Sequence, residues 1–353
     1  MGFEIAANCK HSTSKRIVQF DALKGLAIIM VVMGHIVDLN IGTLNRPELR
    51  DISMLLRLVH MPIFIFLAGL FDSSEKKKVA SRSMSFLFLY ILAKIIYMVS
   101  NRAMGAGPYF SLFSGNSRPW FMLAMAAWVP LARATRNIKL LPLLLVWIIL
   151  ALAVGYDDSI GAWLSLSKII VFFPFYLVGY RIKPDTLLRY YSRRVWLYLG
   201  MATLAILITL FVVFGNVLWP YEQLLNAHLP YSEIPVQGCG AVERLIWYGL
   251  VALALSAYIE VFVHAGGRLL AWFGRRSLAI YLFHLPFTLT LVALGLFEAL
   301  TPTAAGRFIA VLLSIPVAAI SGMSPLYKFV TAYQKTFSGI SERSAKCKSS
   351  EVD

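Results

Sequence analysis

Stretches of roughly twenty mostly apolar residues, the length a helix needs to cross the hydrocarbon core of a bilayer, recur along the chain with centres near residues 30, 63, 91, 125, 146, 174, 205, 254, 287 and 315. The stretch near 125 is short, and the one near 174 is interrupted by Pro174. Polar and mostly basic segments separate them. This alternation predicts an all-α, polytopic membrane helix bundle of about ten transmembrane helices. Residues 1–19 read as a cytoplasmic amino-terminal segment and 20–327 as the membrane domain. Residues 328–353 read as a cytoplasmic, disordered tail, because GISERSAKCKSSEVD has little apolar surface to bury. The longest outer segment, NVLWPYEQLLNAHLPYSEIPVQGCGAVER at 216–244, holds aromatics, prolines and acids suited to covering a polar site.

Composition agrees with the pattern. The chain has 353 residues, 59% hydrophobic and 14% charged, with a mean hydropathy of +0.71. Soluble domains hold roughly 45–50% apolar residues. A net charge of +15 would suit nucleic acid if the cations shared a polar face, but here they gather between the apolar stretches. Twenty-three Lys and Arg fall in the segments that the alternation places inside and seven in those it places outside. That positive-inside bias puts both termini in the cytoplasm. The first twenty residues show no apolar run followed by a small-residue cleavage site, so no cleavable signal peptide is expected. Cys9, Cys239 and Cys347 are odd in number and far apart, which points to neither a disulfide framework nor a metal cluster.

Polar groups inside the first stretch, DALKGLAIIMVVMGHIVD at 21–38, are the strongest chemical signal. Lys24 and His35 are separated by about three helical turns and therefore share a face, with roughly 16 Å between them along the axis. Asp21 and Asp38 lie three positions beyond them at either end, which extends the same stripe. Lys24 alone reads equally well as a cation snorkelling to the inner interface, and Gly25 and Gly34 as sites of close helix packing. His35 is an ionisable group well inside a span, where it is costly unless it meets a polar cavity or a partner. His60 opens the second stretch near the same depth, and His284 lies seven residues into the ninth beyond Ser277. An interface anchor is the alternative for His60, and a core histidine for His284. Trp120 and Tyr281 read as interfacial or core aromatics.

Absences narrow the chemistry. No Walker loop, dinucleotide fingerprint, His-Glu-x-x-His or Gly-x-Ser-x-Gly motif is present. The inner Gly-Arg-Arg at 274–276 is basic enough to touch a phosphate, although topology alone also explains it.

Five segments together carry a resemblance: FDALKGLAIIMVVMGH, HMPIFIFLAG, PWFMLAMAAW, FFPFYLVGYRIK and GRRSLAIYLFH, spread over residues 20–290. With them the chain resembles the integral-membrane acyltransferase 3 family, in particular its fucose 4-O-acetylase-like branch. The family's basic residue, ten intervening positions and histidine fall on Lys24 and His35. The resemblance implies ten membrane helices that take an acyl group, most often acetyl, from cytoplasmic acetyl-CoA and deliver it to a glycan hydroxyl at the outer face. His35 is then the catalytic base and Lys24 a donor contact. A bacterial inner membrane and an acceptor such as an exopolysaccharide, O-antigen or lipid-linked saccharide follow from the same resemblance. Many relatives carry an Arg-x-x-Arg pair in the first inner loop. Here Lys76, Lys77 and Lys78 precede Arg82, which puts a bidentate phosphate clamp in doubt.

On these expectations the phosphates of coenzyme A stop at an inner basic rim of Lys24, Lys78, Arg82, Arg275 and Arg276. The pantetheine arm then runs up a polar passage to His35, an extended reach on the order of the 16 Å between the two residues. Asp38 would orient the His35 ring or favour its protonated form, with His60, Trp120 and His284 as substrate-facing or structural polar groups. No metal and no nucleic acid is implied, and membrane lipid is the surrounding partner. Intramembrane His, Lys and Asp also suit a proton-coupled transporter or exporter. The paired discontinuous helices typical of such carriers are not evident in the sequence. A purely structural membrane subunit explains the hydrophobicity but not the polar stripe.

Overall fold

A computed structural model describes residues 17–40, 47–72, 79–103, 119–160, 163–265 and 267–350, with side chains described for all of these except 39–40, 47–48 and 338–350. Helices make up 86% of the described residues, and no strand occurs among them. Three long helices lead: α1 (Val18–Asn40), α2 (Pro47–Asp72) and α3 (Val79–Ala103). Three shorter ones follow, α4 (Trp120–Ala134), α5 (Leu140–Ala153) and α6 (Leu166–Arg181), then α7 (Pro184–Tyr190) and the long α8 (Arg194–Val213). The small helices α9 (Gly215–Leu218) and α10 (Glu222–Asn226) precede α11 (Ala241–Ala265). Next, α12 (Arg268–Arg275) meets α13 (Ser277–Ala293) at a bend of 78°. The chain ends in α14 (Leu296–Leu300), α15 (Ala304–Leu312), α16 (Ser314–Ser321) and α17 (Ser324–Ser350).

Each apolar stretch of the sequence carries a helix. Six spans among the described residues are long and apolar enough to cross a membrane: Val18–Asp38, Leu49–Asp72, Val79–Ala103, Arg194–Val213, Ala241–Ala265 and Ala304–Ser321. The bent α12–α13 pair makes a seventh if it is counted as one span. Helices α4, α5 and α6 have 15, 14 and 16 residues and are shorter than this. The outer faces of the bundle are apolar, with Leu141 at 69%, Ile206 at 67% and Val242 at 66% exposure. Water would penalise such faces, whereas lipid tails accept them.

Two backbone crossings hold the interior together. Where α1 meets α12, a Cβ on Gly25 would collide with the carbonyl of Leu270, and one on Gly274 with the carbonyl of Asp21. Where α2 meets α6, the same holds for Gly69 against Tyr176 and for Gly179 against Phe66. Only glycine lets the backbones approach this closely, and in lipid such packing replaces the missing hydrophobic drive between helices. Gly34 differs. Nothing lies within 4 Å of where its Cβ would stand.

Buried polar side chains tie the shorter helices in. Trp128 Nε1 donates to the Ile169 carbonyl at 2.9 Å, joining α4 to α6. Arg244, fully buried on α11, donates to the Ala151 carbonyl at the end of α5 at 2.8 Å. The segment after Lys328 differs from the unstructured tail expected of it, since α17 continues through Ser350. Aromatics spaced one turn apart supply the reason. Phe337 stacks on Phe88 of α3 at 4.1 Å, and the Tyr333 hydroxyl donates to the Phe88 carbonyl at 3.1 Å.

Candidate active site

On α1 the residues Val31, Gly34, His35 and Asp38 form one helical stripe, and that stripe borders a cavity of about 130 Å³. Arg57, His60 and Met61 of α2 face it, together with Trp120 at the start of α4, Lys168 and Phe172 of α6, and Tyr281 of α13. Leu225 and Asn226 of α10 complete the wall. The long segment 216–244 therefore does reach a polar site. Because the bare backbone at Gly34 faces this space, its lack of a side chain keeps room beside His35 rather than permitting a helix crossing.

Three histidines from three separate stretches of sequence converge here. His35 and His60 line the cavity, and His284, which is buried, stacks on His35 with 5.1 Å between ring centroids and 21° between planes. The Nδ1 atoms of His60 and His284 each lie against the carbonyl four residues earlier, Leu56 and Ile280 respectively. When Nδ1–H donates there, Nε2 is left as the basic nitrogen. The stack fixes the plane of the His35 imidazole, and His35 itself keeps access to the cavity.

Asp38 has partners on α2 that its place on α1 does not reveal. Its Oδ1 accepts from Ser53 Oγ at 3.1 Å, and its Oδ2 pairs with Arg57 at 2.8 Å. The other terminal nitrogen of Arg57 pairs with Glu222 Oε1 at 2.7 Å, and Arg57 Nε donates to Ser53 Oγ at 3.1 Å. Thus Asp38, Arg57 and Glu222 form one ionic cluster that fastens α10 to α1 and α2 beside the cavity. Arg50, 5.5 Å over the Trp219 ring, fastens the same outer segment one step earlier. Burial raises the pKa of Glu222 against the opposing pull of Arg57.

Neighbouring His228 is the second titratable group of that segment. Burial, reinforced by the positive charges of Lys168 and Arg57, lowers its pKa from 6.5 to about 4. Its Nδ1 is buried with no hydrogen-bond partner among the described residues. An unfolded His228 takes its proton near pH 6.5, so its contribution to stability is complete above that value and is lost as pH falls through 6.5 towards about 4. Thermal midpoints of the detergent-solubilised protein should fall over this window, and His228→Gln should flatten the fall. Glu222 acts with the opposite sign, losing its contribution as pH rises, so the difference between wild type and variant isolates His228.

The opposite end of α1 carries a separate cluster. Arg82 is paired with Asp72, which also accepts from the Tyr176 hydroxyl at 2.6 Å. Arg275 lies 4.0 Å from Asp21, and Arg276 stacks over Trp272 at 4.3 Å and Tyr327 at 5.2 Å. Lys24 places its ammonium 5.7 Å from the Phe64 ring, and Lys78 lies outside the described residues. Among the described residues, the cavity at His35 does not extend to Lys24 as the expected passage would. Its lining on α1 stops at Val31, and Ala27 and Ile28, both wholly buried, fill the interval. The expectation failed because a shared helical stripe fixes direction only, whereas packing from α2, α4 and α13 decides what is open. Phe64, Phe121 and Tyr281 supply that packing as edge-to-face neighbours, 5.2 Å and 5.8 Å apart.

Sequence reasoning missed Arg57, Lys168, Glu222, Asn226 and His228 as members of the site. A signal existed for two of them. Ser53, Arg57 and His60 follow helical spacing on α2, and Lys168 is a cation at the start of an apolar stretch. The other three sit on or just after the five-residue helix α10, which is too short for periodicity to reveal its path. Among the described residues no group of three His, Cys, Asp or Glu side chains is placed to hold a metal ion.

The profile of the acyltransferase 3 family, an acyltransferase domain, matches residues 17–323 and so takes in the whole cavity wall. No curated protein and no solved structure matches the chain.

Proposed function

The chain belongs to the acyltransferase 3 family and is a multi-pass membrane acyltransferase; from that premise we propose that it moves an acetyl group from cytoplasmic acetyl-CoA to a hydroxyl of a cell-surface or exported glycan at the outer face. The carrying observation is the convergence of His35, His60 and His284 at one end of the bundle, with His35 open to a cavity that the outer segment covers. The proposal extends to the fucose 4-O-acetylase-like branch, a bacterial inner membrane, about ten crossings and cytoplasmic termini. The apolar character of α4, α5 and α6 and the basic segments between the apolar stretches support that topology.

In this reading a His35 ring nitrogen takes the proton of the acceptor hydroxyl as its oxygen attacks the thioester carbonyl carbon. The carbon–sulfur bond then breaks, and the departing thiolate recovers the proton from the imidazolium, leaving an ester and free CoA. His284 keeps the imidazole in plane, while Asp38, held by Ser53 and Arg57, fixes the end of α1. Lys24, Lys78, Arg82, Arg275 and Arg276 form the inner rim for the donor phosphates. Delivery of the pantetheine arm requires the packing of Ile28 and Phe64 to part, so the donor route opens on binding.

Purified protein given acetyl-CoA labelled in the acetyl group, together with a glycan extract, should place the label on the glycan and release CoA in equal amount. Passage of solute across proteoliposomes with the thioester left intact would instead identify a transporter.

A further inference from the structure

Lys168 borders the same cavity as His35, with its ammonium 5.4 Å from the centre of the Trp120 ring. Its position is unfavourable for a cation in three ways. It stands in the first turn of α6, where the helix dipole stabilises negative charge and opposes positive charge. It is only partly exposed to solvent. The charged side chain acting on it is Arg57, of like sign.

No carboxylate of a described residue forms an ion pair with Lys168. Asp38 and Glu222, the acids of the cavity mouth, are both engaged by Arg57. The outer segments 41–46 and 104–118 contain no Asp or Glu at all. Glu48 lies on α2 about 13 Å further along the axis than Arg57. The Trp120 ring under the ammonium offsets part of this cost, and one event relieves all three penalties together, the arrival of an anion with the substrate.

We propose that Lys168 receives an acid group, carboxylate or phosphate, borne by the acceptor saccharide, so that the acceptor class is an anionic glycan. This rests on the acyltransferase reading of the cavity and narrows it. The remaining wall suits a sugar ring. Trp120, stacked on Phe172 at 5.3 Å, offers an aromatic surface, and Asn226 supplies both a donor and an acceptor. A volume of about 130 Å³ is close to the ~150 Å³ of a cavity known to hold one benzene ring. A saccharide unit is bulkier than benzene, so only one edge of it enters, and an acid group held at Lys168 presents that edge to His35.

The test compares the detergent-purified protein's affinity for two saccharides of equal length, an oligoglucuronate and the matching neutral oligoglucose, by titration calorimetry without donor. Wild type should bind the acidic saccharide at least roughly tenfold more tightly. Lys168→Gln should bring that affinity down to the neutral level and leave neutral binding unchanged, and Lys168→Arg should keep most of the preference. A hexose phosphate that takes the uronate's place with the same dependence on Lys168 identifies phosphate as the acid group. Equal affinity of wild type for the charged and neutral saccharides overturns the proposal without reliance on any variant. So does coenzyme A competing with the uronate for Lys168, which would assign the lysine to the donor. An equal drop in kcat on both acceptors in Lys168→Gln, with KM unchanged, would also overturn it by making the lysine a stabiliser of the reacting oxygen. Binding is read without turnover, so loss of the charge preference leaves the acyltransferase reading standing, and loss of label transfer leaves the charge preference measurable.

Discussion

His35→Gln is expected to lower acetyl transfer by at least about 10²-fold, the lower end of what a positioned general base contributes, with little change in membrane insertion or thermal midpoint. Glutamine keeps hydrogen-bonding capacity and approximate length but cannot carry a proton between hydroxyl and thiolate. Three histidines compete for the role, and their settings separate them. His284 is 1% exposed and lies behind His35, so an acceptor cannot reach it. His60 lines the cavity, but its Nδ1 lies against the Leu56 carbonyl of its own helix, and among the described residues no ring stacks on it to fix its plane. His35 has cavity access, a stacking partner that fixes its plane, and open space beside it at Gly34. Single-turnover transfer from labelled acetyl-CoA measures the chemical step directly. His284→Phe provides a control, since it retains a flat ring against His35 and should lose much less activity. Full transfer by His35→Gln would move the base to His60.

The depth of each polar group could be read from the sequence because helical rise and periodicity are local properties. Lys24, His35, His60 and His284 take their positions along their helices from the sequence alone, and in the structure His35 and His60 line one cavity while His284 stacks on His35. Lateral arrangement is not local. Whether the stripe between Lys24 and His35 opens on a channel depends on Ile28, Phe64 and Phe121 meeting from three helices, and no single stretch encodes that meeting. The partners of Asp38 were hidden for the same reason. Ser53 and Arg57 reach its carboxylate from a neighbouring helix, Arg57 at 2.8 Å, and only the packing of α1 on α2 brings them there. The inner rim shows a further limit. A run of cations predicts topology well, but Arg82 and Arg275 each lie beside an acid of their own, Asp72 and Asp21. On the proposed reading, a donor phosphate would compete there with carboxylates already in place.

Gly274→Leu is expected to disable the enzyme from a distance, by parting α1 from α12. A Cβ at this position would overlap the Asp21 carbonyl, which belongs to backbone and cannot rotate away. Relief requires the helices to separate, and Gly25, which meets the Leu270 carbonyl in the reciprocal contact, loses its fit as well. Overpacking of this kind costs about 1–3 kcal/mol or more. The functional consequence follows from connectivity. Helix α1 carries His35, and α12 continues through the 78° bend into α13, which carries His284. Displacing α12 therefore shifts one ring of the 5.1 Å stack relative to the other. Gly249→Leu offers a matched comparison, because nothing lies within 4 Å of its Cβ position on the exposed face of α11. The same chemical change there should raise helix propensity and leave activity near wild type. Thermal midpoints and transfer rates of the two variants, measured side by side in detergent, provide the check. If Gly274→Leu matched Gly249→Leu in both, the α1–α12 crossing would not be what sets the histidine pair.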